Sequence, residues 1–574
     1  MILRLFLCVL VVAFSCCLPA QDVAGFWSTI NTRLKAKDYL RATGRLGAGL
    51  QTNAFFSENE APRRQAPFTW NANAGLTLDF LGIKAPFSAS VSSQNTVYNL
   101  PSYAFVGLSP TYKWITLHGG DRSMSFSPYS LNGVNYRGAG LELSPGKFKL
   151  SAMRGRLRRA RIQDAGAIQA LGDAPDRTGN GLQLGYEFNG GSQIAASWFH
   201  STDAISTQLI AAQDSLALPQ AAPEANQVLT LSGQHRLSDF LSFRAELARS
   251  VLTRDRRAAG QSEPPFTTLF GFDANTSTTA ASAYQIGIDL SPNFGTLGLQ
   301  YERINPNYRT HGALYMQSDV ENTTVSATVP VSEGKVNLSG NLGVQRNDLD
   351  GGKASSFTRL VGSAGVSWQI SDRVNADVGF SNFTATNRYK ATALTTGFVD
   401  SIVVAQTQLS TDATTVILLD AEGTETLLFT TSYQRAARIE NDQVDSTGLT
   451  TFALFLANYT RQTEGGATLN ASLTFHRNDA GGLLLNTLGP ALSYGRKIFS
   501  DKVSLQISTN YSRVWLAGER DVSGIWQSQL GAGVPLSKSQ SVNISATALR
   551  SGGRGGQPGF TDLRLGLRYG YTFK

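Results

Sequence analysis

The stretch LRLGLRYGYTF, residues 563–573 near the end of the chain, alternates strictly between two kinds of side chain. In an extended strand, one face would carry leucine and aromatic side chains, from Leu563 to Phe573, and the other would carry arginine, glycine and threonine. Successive side chains of a β-strand point to opposite faces, so the pattern predicts a strand with one apolar and one polar surface. A soluble sandwich would bury the apolar face, whereas a transmembrane barrel would turn it toward lipid.

The composition of the 574-residue chain favours the barrel. Charged residues make up 16% of the chain, against roughly 25% in ordinary soluble proteins. Glycine accounts for 56 residues and aromatic side chains for 10%. After residue 20, no apolar run approaches the roughly 20 residues that a membrane-spanning helix requires. Low charge without long apolar segments is typical of transmembrane β-barrels, in which polar and apolar residues alternate.

The same unit recurs along the chain as two alternating runs joined by a turn rich in Gly, Ser, Asp, Asn and Pro. Short turns are predicted near residues 82, 110, 145, 190, 238, 293, 333, 372, 422, 465, 501 and 538. Together with a first and a last strand, they predict an all-β fold: a single transmembrane antiparallel up-and-down β-barrel of about 26 strands, within a range of 22–26. Short turns are expected on the periplasmic side and long loops on the extracellular side.

The first 20 residues have the features of a secretory signal peptide, with Arg4 followed by an apolar run and cleavage expected before Gln21. Lipidation at Cys16 or Cys17 is the alternative. All three cysteines of the chain fall within this signal, so the exported chain would have no disulfide and would be stabilised by a closed, hydrogen-bonded barrel.

Residues 21–39 are predicted to form a short periplasmic segment before the barrel of residues 40–574. Phe26, Ile30 and Leu34 recur at helical spacing and favour a short helix that lies at the interface or docks in the lumen, with a frayed tail as the alternative. The segment is too short for the folded plug domain of a TonB-dependent receptor.

Two quoted stretches carry a family resemblance: KWITLHGGDRSMSFSPYS, residues 113–130, and YRGAGLELSPGKFKLSAMRGRL, residues 136–157. They resemble large outer-membrane barrel proteins of the Bacteroidota, most clearly over residues 40–160. The resemblance implies an outer-membrane barrel in an envelope with glycan-uptake and type IX secretion machinery. It implies no activity and no site.

Motifs of catalysis are not found. The histidines are isolated, and none lies at metal-ligand spacing from another histidine or from a cysteine. No nucleophile elbow, P-loop or zincin motif stands out. The expectation is therefore a protein that is not an enzyme and has no cofactor.

The distribution of charged residues indicates which side chains could contact ligands or line the lumen. Without Arg4, the exported chain has 49 basic and 42 acidic residues. Arginines at the mouth of a long loop are candidates to bind lipopolysaccharide phosphates or an anionic substrate, with a solvated loop base as the alternative: Arg154, Arg156, Arg158, Arg159 and Arg161. The candidate lumen lining is Lys149, Glu187, Arg244, Glu246, Asp289, Asp377, Arg564 and Arg568, a mixed set that favours an ion-paired wall over a selective filter. The candidate barrel-assembly signal is Tyr569, Tyr571 and Phe573.

Two functions are compatible with these features. The first is a channel or conduit for a solute or polymer, with the pore closed by inward-folded outer loops. Candidates for closure are the connections 155–178, 202–225, 253–279 and 388–411, and the segment 21–39 from below. The second is a barrel without transport activity that scaffolds a larger secretion, assembly or uptake complex. Expected partners are outer-membrane lipids and lipopolysaccharide, the barrel-assembly machinery and an envelope protein, with no nucleic acid.

Overall fold

The computed structural model describes residues 32–33, 35, 40–57, 66–80, 83–93, 105–160, 174–205, 222–260, 272, 274–389, 402–440, 443–500, 502–517, 522–553 and 558–573. Almost all of these residues lie in strands or in the turns between them. Within these ranges, no helix is long and apolar enough to cross a membrane.

The wall consists of strand segments that pair antiparallel with their neighbours in chain order. The segments are β1 (Leu40–Ser57), β2 (Phe68–Phe80), β3 (Ile83–Ser92), β4 (Phe105–Leu108), β5 (Thr111–Tyr112), β6 (Ile115–Ser125), β7 (Asn132–Leu143), β8 (Phe148–Arg158), β9 (Arg177–Glu187), β10 (Gln193–Asp203), β11 (Ala225–Arg236), β12 (Leu241–Thr253), β13 (Thr278–Leu290), β14 (Thr296–Ile304), β15 (Val320–Val331), β16 (Val336–Asn347), β17 (Ser355–Ser371), β18 (Val374–Tyr389), β19 (Ile402–Leu418), β20 (Glu425–Glu440), β21 (Gln443–Gln462), β22 (Thr468–Ala480), β23 (Leu483–Ile498), β24 (Val503–Leu516), β25 (Val522–Pro535), β26 (Gln540–Ser551) and β27 (Phe560–Phe573).

Segments β4 and β5 together form one strand of the wall, because both lie between β3 and β6 and pair with them. The break between them contains Pro110, which has no backbone N–H to donate. The last strand closes the ring on the first, in a register from Gly44↔Phe573 to Ser57↔Phe560. The result is a closed antiparallel barrel of 26 strands, which confirms the predicted fold class and strand number.

The hairpin turns divide between two rims. Eleven of the twelve predicted short turns join consecutive strands at one rim, here called the short-turn rim, and the chain enters and leaves the barrel there. One turn differs from the prediction: the turn expected near residue 110 lies at Lys113 and Trp114, where Lys113 has a φ of 51°. The opposite, long-loop rim carries longer connections between β6 and β17 but also the two-residue turn Gly481–Gly482, in which both glycines have positive φ.

The two faces of the wall follow the register, because residues paired across antiparallel strands share a face. One row of neighbours is apolar: Ile544, Leu567, Leu50 and Trp70. The adjacent row on the other face is Asn543, Arg568, Gly49 and Asn71. The leucines and the tryptophan are exposed in the isolated chain, so the first face is the outer, lipid-facing surface and the second faces the lumen.

The strands are staggered around the ring. A path that steps from a residue of β1 to its paired residue in each successive strand, around the whole ring, ends on β1 again about 26 residues farther along the chain. The stagger is therefore about one residue per strand. Such a stagger requires strands that are tilted from the barrel axis, by roughly 35–45° in membrane barrels. Side chains at one height therefore step back along the chain by about one residue per strand.

Candidate functional site

Two connections at the long-loop rim fold into the barrel. Inner loop A, residues 126–131, joins β6 to β7, and inner loop B, residues 305–319, joins β14 to β15. The Ser127 hydroxyl donates a hydrogen bond to Glu246 of β12, and the Tyr129 hydroxyl donates to Glu302 of β14 at 2.6 Å. Both carboxylates lie on the inner face of the wall, so inner loop A reaches across the lumen side of the strands between β7 and β14.

The two inner loops are bonded to each other. The hydroxyl of Tyr308 donates to the carbonyl of Tyr129 at 2.7 Å, and that of Thr310 donates to the carbonyl of Ser130 at 2.8 Å. At Gly312 a Cβ atom would lie 2.3 Å from the Ser130 carbonyl oxygen. Only glycine permits this approach, so the sequence of inner loop B is adapted to contact with inner loop A.

The inner loops cover an apolar core inside the barrel. One buried cluster consists of Met124, Phe126, Leu131, Val134, Tyr136, Met153, Phe199 and Val228, and a second of Tyr129, Ala248, Ala281, Ala283, Ile304, Tyr308 and Val320. Small wall residues make room for the rings: a Cβ on Gly181 would lie 2.5 Å from the ring of Phe126, and one on Gly155 would lie 2.7 Å from that of Tyr136. This part of the inner face is therefore dry and packed.

A charged cluster holds inner loop B to the rim, and sequence reasoning did not find it. Glu224 accepts hydrogen bonds from Arg309 at 2.7 Å, from Arg177 at 3.0 Å and from His311 Nε2 at 3.1 Å. Asp203, with its side chain 1% exposed, accepts from Arg177 Nε at 2.6 Å and Nη2 at 2.8 Å. We call Arg177, Asp203, Glu224, Arg309 and His311 the rim cluster. Its members are up to 134 residues apart in sequence, and only the fold brings them together.

The protonation states of the rim cluster follow from burial and partners. Burial lowers the pKa of His311 to about 4, and the charge of Arg177 acts in the same direction. Burial alone would raise the pKa of Glu224, but the His311 hydrogen bond and the charges of Arg309 and Arg177 lower it to about 2. At neutral pH His311 is therefore uncharged, donates from Nε2 to the Glu224 carboxylate and accepts at Nδ1 from the Ser201 hydroxyl at 2.8 Å.

Acidification is expected to weaken the docking of inner loop B. Both pKa values are lower in the docked state than their ordinary values of 6.5 and 4.5, so the released loop binds protons that the docked loop does not. The docking free energy is at its full value above pH 6.5. It decreases between pH 6.5 and about 4 as His311 of the released loop takes up a proton, and it decreases further below pH 4.5 as Glu224 does the same. Hydrogen–deuterium exchange of residues 305–319, corrected for intrinsic rates, should become faster as the pH is lowered from 7.5 to 4.5.

The control for this prediction is His311→Gln, which retains an amide donor and acceptor but does not titrate. This variant should lose the pH dependence between 6.5 and 4. An identical pH response in the variant and the native protein would contradict the assignment to His311.

Beneath inner loop A lies a polar cavity of about 340 Å³. Its polar lining comes from strands β8–β13: Lys149, Gln183, Glu187, Gln193, Ser232, Gln234, Arg244, Glu246 and Gln285. Gln183 Nε2 donates to the carbonyl of Phe126 at 2.8 Å, which fixes the roof of the cavity. Four amide side chains and four charged side chains, two of each sign, lie together here and can hydrogen-bond a small, uncharged polar solute.

The register places all eight candidate lumen residues on the inner face. Two ion pairs form among them: Lys149 with Glu187, and Arg244 with Asp289 at 3.3 Å. Arg564 pairs instead with Asp562 at 2.6 Å, and Glu246 binds Ser127. Asp377 and Arg568 lie elsewhere on the wall and are not brought to this group. That any of them contacts a transported solute stays a prediction.

The arginines predicted to bind anions separate in the structure. Arg154 and Arg156 lie on the outer face of β8, and Arg159 is exposed just beyond the strand. A β-bulge between Arg156 and Arg158 turns Arg158 toward the rim cluster, where it lies 3.2 Å from Asp203. Arg161 lies outside the described residues. Among the described arginines of this set, Arg158 is therefore engaged in the rim cluster, whereas Arg154 and Arg156 stay on the outer face. That any of the five binds lipopolysaccharide or an anionic substrate stays a prediction.

The connections predicted to close the pore lie largely outside the described residues, which omit 161–173, 206–221, 261–271 and 390–401. In the described part of 253–279, Phe272 packs with Ala225 and Val251 on the outer face rather than in the lumen. Of the segment 21–39, Arg33 forms an ion pair with Asp79 on the inner face of β2, at 2.8 Å.

No group of three or more His, Cys, Asp or Glu side chains that could hold a metal ion is found among the described residues. No protein-family model matches the chain, and no curated protein matches it significantly.

Solved structures of outer-membrane barrels are similar at low identity. A mutant ferric enterobactin receptor from Pseudomonas aeruginosa has a TM-score of 0.39 and 12% identity over 92% of this chain and 82% of the receptor. The FrpB iron transporter from Neisseria meningitidis has a TM-score of 0.36 and 12% identity, over 92% of this chain and 82% of the transporter. The P pilus usher translocation pore has a TM-score of 0.37 and 11% identity, over 93% of this chain and all of the pore.

Proposed function

We propose that the chain is an outer-membrane channel for uncharged polar solutes, narrowed from one side by inner loops A and B. The supporting observation is the contrast between the two halves of the inner face. The buried clusters under the inner loops lie against β6–β15. The facing half, β16–β27, is lined largely by hydroxyl and amide side chains, with a few charged ones that include Asp377, Arg564 and Arg568.

The neutral side chains of this half form two rows of paired neighbours. One row of paired neighbours runs through Asn470, Ser493, Ser508, Gln529 and Thr547, on β22 to β26. A second runs through Asn341, Ser363, Ser381 and Ser410, on β16 to β19. Hydroxyl and amide groups exchange hydrogen bonds with water or with a hydroxylated solute, and they give no strong preference for either sign of ion.

Planar-bilayer recording tests the channel directly. The purified barrel should give stepwise conductance with a reversal potential close to zero in a salt gradient, and liposomes that contain it should swell in uncharged sugars. Ser508→Glu with Gln529→Glu adds two carboxylates to the neutral lining and should shift the reversal potential toward cation selectivity. Ser539→Glu, in an exposed turn at the short-turn rim, is the control and should shift it less.

A correctly folded barrel that neither conducts nor admits sugars would contradict the channel. That result would favour the second function, a scaffold for a larger envelope complex.

A further inference from the structure

Arginine recurs on the outer face of alternate strands in one quarter of the wall. In β20, β22, β24 and β26, an outward leucine or valine near the short-turn rim is followed eight residues later by an outward arginine. The pairs are Leu427 and Arg435, Leu469 and Arg477, Leu505 and Arg513, and Val542 and Arg550. We call Arg435, Arg477, Arg513 and Arg550 the arginine row. All four are exposed.

The arginine row lies at one height. Arg550 pairs with Trp526, and Trp526 pairs with Tyr511, two residues before Arg513. The same offset relates Arg513 to Arg477 and Arg477 to Arg435. In strands tilted by roughly 40°, the residue paired across two strands lies about 6 Å higher along the barrel axis, toward the long-loop rim. The arginine lies two residues before that position in its own strand, which lowers it by about 5 Å. The offset of one residue per strand is the stagger by which the barrel closes, so the row is level to within about 1 Å.

This height corresponds to an edge of the membrane. Eight residues of tilted strand span about 20 Å along the barrel axis, close to the apolar band of roughly 25 Å. Aromatic side chains lie just below the arginines on the same face: Tyr433, Phe475, Tyr511 and Trp526. Such an aromatic girdle marks the level of the lipid headgroups. The arginine row therefore lies among the headgroups of the leaflet at the long-loop rim.

The four arginines are not neutralised by the protein. Among the described residues, none of them has a carboxylate partner within ion-pair distance. Two outward arginines elsewhere on the wall do have a carboxylate partner: Arg137 pairs with Asp121 at 2.7 Å, and Arg346 pairs with Glu321 at 2.9 Å. The region from β20 to β26 is thus a level band of uncompensated positive charge that faces lipid.

We propose that the arginine row binds the phosphate groups of a phosphorylated glycolipid, of the lipid A type, in the leaflet at the long-loop rim. A guanidinium group can hold a phosphate through two parallel hydrogen bonds, and it is weakly hydrated enough to do so at the edge of an apolar phase. The arginines stand two strands apart, roughly 10 Å or more, so each headgroup contacts one or two of them and several lipids line the wall. The inference depends on the proposed membrane location but not on conduction.

The test uses the full-length barrel in detergent and measures bound lipid by native mass spectrometry. The row variant combines Arg435→Gln, Arg477→Gln, Arg513→Gln and Arg550→Gln. The matched control removes the same charge from exposed positions at the short-turn rim, with Arg373→Gln, Arg496→Gln, Lys502→Gln and Lys538→Gln. Bisphosphorylated lipid A is titrated into each, with dephosphorylated lipid A and inorganic phosphate as separate arms.

The row variant should bind bisphosphorylated lipid A at least about tenfold more weakly than the native barrel, and the control should bind within about twofold. The native barrel should prefer the bisphosphorylated form. Equal losses in both variants, or equal binding of the dephosphorylated lipid, would overturn the proposal. Full competition by inorganic phosphate would identify a free-anion site and overturn the lipid assignment.

If the row variant does not fold, Arg513→Gln with Arg550→Gln is the second variant, and it should show a smaller loss of lipid A binding. A barrel that conducts in bilayers but binds no lipid A would refute this inference and leave the channel intact. A barrel that binds lipid A but does not conduct would refute the channel and leave this inference intact.

Discussion

Asp203→Ala is expected to release inner loop B from the wall. The substitution removes the carboxylate that receives two hydrogen bonds from the buried Arg177 guanidinium and leaves that charge with Glu224 alone. Breaking one side of a buried ion pair costs about 3–5 kcal/mol, and the remaining Glu224 contact places the expected loss at about 3 kcal/mol, the lower end of that range. Because Glu224 also holds Arg309 and His311, the effect should extend into inner loop B.

Hydrogen–deuterium exchange over residues 305–319 measures this release. Exchange there should accelerate by roughly two orders of magnitude, as about 3 kcal/mol implies, while the strands of β20–β26 keep their protection. Asp239→Ala is the matched control, because Asp239 forms a single, fully exposed ion pair with Arg236. It should leave exchange unchanged. Native exchange rates in Asp203→Ala would show that the rim cluster does not hold the loop.

Leu567→Arg is expected to damage insertion of the barrel into lipid. Leu567 lies near the middle of the outward positions of β27 and has lipid-facing neighbours on both sides, Ile544 and Leu50. An arginine near the bilayer midplane of a barrel costs about 2–4 kcal/mol. Folding into lipid vesicles, followed by urea titration, should show a loss of this size.

The adjacent residue is the control. Arg568 faces the lumen, where water is available to either side chain, so Arg568→Ser should fold and insert like the native protein. Equal damage from both substitutions would refute the assignment of faces.

Strict alternation and turn chemistry were enough to predict the wall. Each hairpin is local, so strand number and the facing of residues such as Leu567 can be deduced from short stretches. The turn near residue 110 was misplaced because Pro110 interrupts a strand instead of ending it, and a proline gives the same local signal in both cases.

The inner loops could not be predicted in the same way. Their partners are distant in sequence: Tyr129 meets Glu302, and His311 meets Glu224. The sequence does contain one local indication of the inner loops. Phe199 and Val228 are apolar although the alternation of their strands places them toward the lumen, where polar residues are expected. Apolar residues on the inner phase opposite glycine or alanine indicate that something packs inside the barrel, although they do not identify which loop does so.

The seam between β1 and β27 sets the order in which the barrel must form. Every other pair of neighbouring strands is joined by a connection of a few dozen residues at most, whereas Gly44 and Phe573 are more than 500 residues apart. The logarithmic scaling of chain closure assigns about 5–6 kcal/mol of configurational entropy to bringing such ends together. Until that contact forms, the curled sheet has two unpaired edges that could capture another chain. Pairing of β27 with β1 is therefore the all-or-none last step of barrel folding. A chain truncated before β27 cannot form this seam, however many of its hairpins have formed.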